Sequence, residues 1–393
     1  MFHFKGALPA SKSWLNRALI LQHYQPDLKI VGETNAEDVE VMKVALSNVH
    51  SKQTFNLGQG GTSLRFFCFL ISRIPGDWVL KGQPRLMERP QGELLNLLKQ
   101  LGVSAVQKQN EILIKSNGWQ PTPELSCDGA VSSQFISGLL LNSPGISFDL
   151  NLKIKKPIVS YDYLKMTLRM LDQVGIEYST SESSPEHSVR ILKNQKVKAK
   201  DLNAELDLSS AFSLVSAAII DGDVAITNWI ADSIQPDHAF VEILKKMNIF
   251  FEINVNHFHI KKQMQWNGCD VNLDSSPDLF PVLAILCALA NGPSFLRGAS
   301  QLKFKESDRL KKTVELLTLA GFQTEQLSDA LLIHGKSSTR SKNLGFQFNP
   351  DHDHRMAMAA GLLKLAGYKI SIETPEVVQK SYPQFWQDTG LSL

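Results

Sequence analysis

The sequence predicts an α/β protein of two domains, assembled by repetition of one small unit. Three observations carry that expectation. The chain has 393 residues, more than one ordinary core organises, and its 43% apolar content can fill two. One pattern recurs: an amphipathic helix, a Gly or Asn stop, then two short strands about a polar turn. It appears in LLNLLKQLGVSAVQKQNEILIKS, LRMLDQVGIEYSTSESSPEHSVRILK, VEILKKMNIFFEINVNHFHIKK and VELLTLAGFQTEQLSDALLIHGK. The stops Gly102, Gly175, Asn248 and Gly321 stand at a constant interval of 73 residues. That period is too long for a common solenoid, and each copy holds enough helix and strand for a small α/β subdomain.

Composition narrows the function. Lys and Arg number 41 against 39 Asp and Glu, so there is no global basic field for nucleic acid. Cys68, Cys127, Cys269 and Cys287 lie far apart without a CxxC pair, which favours reduced thiols over zinc or redox work. The apolar stretch 279–290 is broken by Pro281 and too short to span a bilayer, and residues 1–12 lack a signal-like apolar segment. The expectation is a cytoplasmic protein that uses neither membrane nor nucleic acid.

Along the chain, SKSWLNRALIL predicts a helix capped by Ser13 with Arg17 in its first turns. MKVALSNVHSKQTFNL is a weaker copy of the repeat. GQGGTSLR is a glycine-rich loop entering a helix at Thr62, with Arg65 behind it, so its backbone N–H groups face an anion. GQPRLMERPQGELL adds Arg85 and Arg89 before the helix that Pro90 opens. DGAVSSQFISGLLL puts Ser132, Ser133 and Gln134 at a helix start. The crossover between domains is placed at 201–208, between a polar stretch and the apolar helix 210–220. SSPDLFPVL offers Asp278 before an apolar helix. KFKESDRL gives Lys305, Glu306 and a Ser307 cap ahead of Arg309, and DHDHRMAMAAGLL gives an Asp353 cap, His354 and Arg355. GLLKLAGYKISIE is a last weak copy, making about six units in two groups.

A cation in a first turn opposes the helix dipole by about 0.3–1 kcal/mol. Lys12, Arg17, Arg65, Arg89, Lys305, Arg309, Arg355 and Lys380 all fall near such starts or in comparable loops, which asks for several anionic groups on the ligands. Their mutual repulsion predicts an open unliganded protein. His352 and His354, two apart, do not share a helix face and make a poor metal site.

In this order, LPASKSWLNRA, GGTSLR, PRLMERP, SSQF, KESDRL, DHRMAM and VVQKSYPQFW closely resemble the 5-enolpyruvylshikimate-3-phosphate synthase family over nearly the whole chain. The resemblance implies two similar domains of three βαβαββ units each, the enolpyruvyl transferase inside-out barrel. Residues 10–205 would form one domain, 1–9 with 206–393 the other, and the active site would lie in the cleft between them. It implies transfer of the enolpyruvyl group of phosphoenolpyruvate to the 5-hydroxyl of shikimate 3-phosphate with release of phosphate. The enzyme would be a monomer with no metal or organic cofactor.

Carried over by motif, Ser13, Arg17, Ser132, Ser133, Gln134, Ser160, Tyr163, Gln301 and Lys305 would hold shikimate 3-phosphate. Gly61, Arg89, Gln134, Arg309, Arg355 and Lys380 would hold phosphoenolpyruvate, and Lys12 would touch both. Asp278 would take the 5-hydroxyl proton and Glu306 would protonate the methylene carbon, with Lys12 and His354 beside them. Arg65 receives no transferred role. Gln59, Gln301 and His352 stand where the family has Asn, Ala10 where it has Gly, and SYDY where it has Ser-Lys/Arg-Pro-Tyr; the N-terminus is also shorter than the family's, so the first strand of the C-terminal domain is expected to be missing or abbreviated. A sister transferase acting on a UDP-amino sugar is disfavoured, since its loop cysteine has no counterpart in RLMER. A noncatalytic anion binder is disfavoured by Lys12, Asp278, Glu306 and His354 standing together.

Overall fold

The computed structural model describes residues 1–183, 185–336 and 341–391. The chain divides into two compact units, one Lys12–Ala204, the other Met1–Ser11 with Glu205–Leu393.

In the first unit, two four-stranded sheets share one topology. In one, Thr54–Asn56 runs parallel to Gly76–Lys81, which pairs antiparallel with Glu111–Ser116 of the hairpin that Ser104–Lys108 completes. In the other, Leu125–Asp128, Leu150–Lys155, Glu186–Ile191 and Tyr178–Ser183 repeat that arrangement. A third, two-stranded sheet pairs Lys29–Val31 with Asp201–Asn203. The second unit holds the matching set. Phe2–Gly6, Gly222–Ile226, His257–Lys261 and Glu252–Asn254 form one sheet. Asp270–Asn272, Ser294–Arg297, Ala330–Ile333 and Thr324–Gln326 form the next, and Phe346–Phe348 pairs with Ile370–Ile372.

The repeat therefore folds as its pattern predicts. Gly102, Gly175, Asn248 and Gly321 all take positive φ, +77°, +78°, +56° and +81°, the left-handed stop that Gly favours and Asn tolerates. Each is followed by the same closing bond: the N–H of Val103, Ile176, Ile249 and Phe322 donates to the carbonyl of Leu98, Leu171, Leu244 and Leu317, at 2.9–3.0 Å. Two expectations are corrected. The N-terminal strand is present: Phe2–Gly6 pairs along its whole length with Gly222–Ile226, and the alternation of Phe2 and Phe4 with the exposed His3 and Lys5 is its signal, which the shortness of the lead outweighed. The two weaker copies lack the hairpin. The strand after the helix Glu37–Ser47 joins the next sheet, and Ile370–Ile372 pairs only in parallel.

Helices lie inside and sheets outside. All of Phe280–Ala288, residues 208–220 and residues 354–363 are buried, as is nearly all of Gly61–Ser72. Helices apolar on every side have no other stable place. Outer strands such as Tyr178–Ser183 face solvent. Among the described residues the sheets are separate and open, and none closes into a barrel.

Candidate active site

The expected site residues form one group in each unit. In the first, the helix Lys12–Tyr24 starts at Lys12, so Ser13 lies in its first turn instead of capping it. Arg17 is buried at 2% exposure, and among the described residues its hydrogen-bond acceptors are neutral oxygens: Nε to Thr167 Oγ1 at 2.8 Å, Nη1 to the Ser13 carbonyl at 2.7 Å, Nη2 to the Tyr163 carbonyl at 3.2 Å, with the guanidinium carbon 5.3 Å and 5.9 Å from the centres of the Phe66 and Tyr163 rings. Burial, partly offset by Tyr163, pulls the guanidinium down to about 10. Burying a cation without a paired carboxylate is costly. Ser160, at φ +52°, precedes the helix Tyr161–Gln173 that supplies Tyr163 and Thr167.

The glycine loop enters the helix Gly61–Ser72 with Gly60 at the cap position, and Thr62 is within the first turn. The Thr62 hydroxyl instead accepts from Gln134 Nε2 at 3.0 Å. Arg89, 7% exposed, lays its guanidinium against Gly61, where a Cβ would come 2.7 Å from Nη1. Its Nε has no hydrogen-bond partner among the described residues.

Arg65 acquires a position the motifs did not give it. It donates to Gln134 Oε1 at 2.6 Å, Ser132 Oγ at 3.2 Å, Gln91 Oε1 at 3.1 Å and the Pro90 carbonyl at 3.0 Å, with its guanidinium carbon 4.5 Å from the centre of the Phe135 ring. It thus ties the residue after Arg89 to the start of Ser133–Leu141, where Ser132 Oγ caps the Gln134 N–H; Ser133 is buried beside them. Sequence reasoning also missed Asp38, whose Oδ2 lies 2.9 Å from Lys12 Nζ and whose carbonyl accepts from Ser63 Oγ at 2.9 Å. One acid so links Lys12 to the glycine loop.

The second group is built around Arg309, 1% exposed, which binds three carboxylates. Nη1 reaches Asp278 Oδ1 at 2.7 Å, Nη2 reaches Glu306 Oε2 at 2.8 Å, and Nε reaches Asp353 Oδ2 at 2.8 Å. Lys305 Nζ lies 3.3 Å from Asp278 Oδ1, Arg355 Nη2 3.6 Å from Asp278 Oδ2, and Lys380 Nζ 3.3 Å from Glu306 Oε1. His354 is buried next to Asp353, its Nδ1 3.9 Å from Oδ1. Gln301 Nε2 donates to the Asp274 carbonyl at 2.6 Å.

Local structure explains these placements. Asp353 caps the helix His354–Leu365 as expected, Oδ1 accepting from the Arg355 N–H at 2.9 Å. Ser307 does not cap the helix Arg309–Leu319. Asp308 does, and the Ser307 hydroxyl donates to Asp353 Oδ2 at 3.1 Å. Asp278 is not a cap either: it sits in the 3₁₀ turn Pro277–Leu279 and serves the cations. Burial would raise its carboxyl, but Lys305, Arg309 and Arg355 outweigh that and hold it well below the usual carboxylate range. The anion demand read from the first-turn arginines is therefore met internally at Arg309, whereas no carboxylate pairs with Arg17 or Arg89 among the described residues.

The second group thus sets the carboxylates of Asp278, Glu306 and Asp353 on one guanidinium, while the first holds the guanidinium groups of Arg17 and Arg89 without a carboxylate partner among the described residues. Residues 7–389 match the family model described as EPSP synthase (3-phosphoshikimate 1-carboxyvinyltransferase). A 3-phosphoshikimate 1-carboxyvinyltransferase of Methanococcus maripaludis is 32% identical, covering 98% of this chain and 95% of its own. One of Clostridium kluyveri is 30% identical, covering 97% and 93%. Among solved structures, EPSP synthase from Acinetobacter baumannii superimposes with a TM-score of 0.73 at 22% identity, covering 99% of this chain and 95% of that one. The enolpyruvyl transferase NikO from Streptomyces tendae gives 0.71 at 15% identity, covering 98% and 94%.

Proposed function

The chain belongs to the EPSP synthase family, and we propose that its transfer of the enolpyruvyl group from phosphoenolpyruvate to the 5-hydroxyl of shikimate 3-phosphate is carried by Asp278 and Glu306 around Arg309. The reaction is an addition followed by an elimination that releases phosphate. One group must take a proton from oxygen and another must deliver one to carbon. The observation that carries the assignment is the single guanidinium holding both acids, Asp278 at 2.7 Å and Glu306 at 2.8 Å.

A carboxylate held well below its usual range is a poor base, and the cause of that depression suggests its release. Lys305, Arg309 and Arg355 hold Asp278 down, and on the family's pattern these same cations receive the substrates. Substrate anions would spend that positive charge, and the basicity of Asp278 would rise when the hydroxyl is in place. Glu306, between Arg309 and Lys380, would deliver the proton to the methylene carbon, and His354 would support both from behind Asp353.

Arg17 would take the carboxylate of shikimate 3-phosphate, with Ser13, Ser132, Ser133, Gln134, Ser160, Tyr163, Gln301 and Lys305 about the rest of that ligand. Arg89, Gly61, Gln134, Arg309, Arg355 and Lys380 would take phosphoenolpyruvate, and Lys12 would bridge the two. On this reading both groups act on the same substrates, with no metal or cofactor. A monomer in the cytoplasm is the matching setting.

Mixing the enzyme with both phosphorylated substrates should release inorganic phosphate. Asp278→Asn or Glu306→Gln should lower turnover by about 10²–10⁴-fold while leaving substrate dissociation constants within about tenfold. Phosphate release only with a UDP-sugar acceptor, or full turnover in either variant, would overturn the assignment.

A further inference from the structure

Asp237 belongs to none of the recognised motifs, yet it is buried inside the second group. It lies in the short turn Pro236–Ala239 at 5% exposure. Its Oδ2 accepts a hydrogen bond from the Ser209 hydroxyl, in the first turn of Leu208–Asp221, and its Oδ1 has no partner among the described residues. Close enough to act on it electrostatically are Asp207, the cap of that same helix, Asp278 in its 3₁₀ turn, and Arg355. Arg355 is 2% exposed, and its Nε is likewise without a hydrogen-bond partner. A buried donor and a buried acceptor left unmade cost about 1–3 kcal/mol each. Here they belong to neighbouring side chains of complementary chemistry.

We propose that Asp237, steadied by Ser209, is a positioning residue for Arg355: as substrate draws the guanidinium from Asp278, Arg355 Nε–H turns to Asp237 Oδ1 and the fork is fixed toward the phosphoenolpyruvate carboxylate. This rests on the reading that Arg355 holds that carboxylate. A guanidinium has five N–H donors in a rigid plane, so anchoring Nε on one side sets the direction of the Nη pair on the other. The anchor should not itself cancel the charge. Burial and the neighbouring Asp278 and Asp207 push the Asp237 carboxyl up to about 7, against the pull of Arg355 and the Ser209 hydrogen bond. Below that pH it is a neutral acceptor. Above it, Asp237 becomes an anion that competes with the substrate carboxylate for Arg355.

The test compares Asp237→Ala, Asp237→Asn, Ser209→Ala and Arg355→Ala in steady-state kinetics with both substrates. Asp237→Ala should raise KM for phosphoenolpyruvate about tenfold while KM for shikimate 3-phosphate stays within about twofold. Asparagine has the shape of the neutral acid and should restore most of that loss. It should also remove the weakening of phosphoenolpyruvate binding above pH of about 7 that the proposal expects of the unmodified enzyme. Ser209→Ala should shift KM in the same direction by less, and it carries the test together with Asp237→Asn should Asp237→Ala not fold. An unchanged KM in Asp237→Ala, an equal rise for both substrates, or an asparagine variant as impaired as the alanine one would overturn the proposal. If Arg355→Ala leaves KM for phosphoenolpyruvate unchanged, the role of Arg355 fails and the proposal with it. If Arg355→Ala raises KM and Asp237→Ala does not, only the positioning role fails.

Discussion

Gly61 shows how one missing methyl shapes the site. A Cβ there would meet Arg89 Nη1 at 2.7 Å and the guanidinium carbon at 3.0 Å. The backbone itself would accept alanine, since the position is helical and its φ is ordinary. The obstacle is the end of a flexible side chain, so the substitution displaces Arg89 and leaves the helix intact. Gly61→Ala should therefore unfold at nearly the same temperature as the parent while raising KM for phosphoenolpyruvate about tenfold or more. Initial rates at varied phosphoenolpyruvate check this, and an unchanged KM would mean that Arg89 does not touch the ligand. Residues like Gly61 and Arg89 were legible because they sit in short motifs whose spacing carries the chemistry. Asp38 and Asp237 were not. Each works through a partner distant in sequence, Lys12 at 26 residues for Asp38, and a lone acid in a polar stretch carries no sign of which cation will fold against it.

At the scale of the element, the helix stops were the clearest signal and the helix starts the weakest. A stop needs positive φ, which few residues accept, so Gly102, Gly175, Asn248 and Gly321 announce themselves. A start has several adequate caps within one turn. In KESDRL both Ser307 and Asp308 qualify, and the carboxylate took the role while the hydroxyl turned to Asp353. Asp353 has the heavier duty. One oxygen accepts the Arg355 N–H at 2.9 Å, and the other accepts from Arg309 Nε at 2.8 Å and Ser307 at 3.1 Å. Removing it loses a cap and leaves the buried Arg309 Nε unpaired. Asp353→Ala should cost about 2–4 kcal/mol in urea unfolding, a cap lost together with a buried donor left unpaired while Asp278 and Glu306 still balance the charge, whereas Asp308→Ala should cost about 1 kcal/mol, as a cap alone does. Equal costs for the two would show that Arg309 gains nothing from Asp353.

Across the whole molecule, the two units have the same architecture and opposite electrostatic states. The Arg309 group is compensated by Asp278, Glu306 and Asp353, so repulsion among its cations is weaker than eight unpaired charges in the sequence implied. Among the described residues Arg17 and Arg89 have no carboxylate partner, and on the proposed reading ligand anions would offset part of the cost of burying them. On the proposed reading, the guanidinium groups without a carboxylate partner belong to the Lys12–Ala204 unit, while Asp278 and Glu306 belong to the other. On the reading that both groups act on the same substrates, a ligand held by Arg17 would also have to meet Asp278 and Glu306, with water kept from the tetrahedral intermediate between the two steps. Both demands are met if the ligands draw the units together. Small-angle X-ray scattering should show a smaller radius of gyration with both ligands present than without. A reaction-competent mixture of unchanged radius would mean that the acids reach the substrate without closure, and Arg17 would then be an anchor alone.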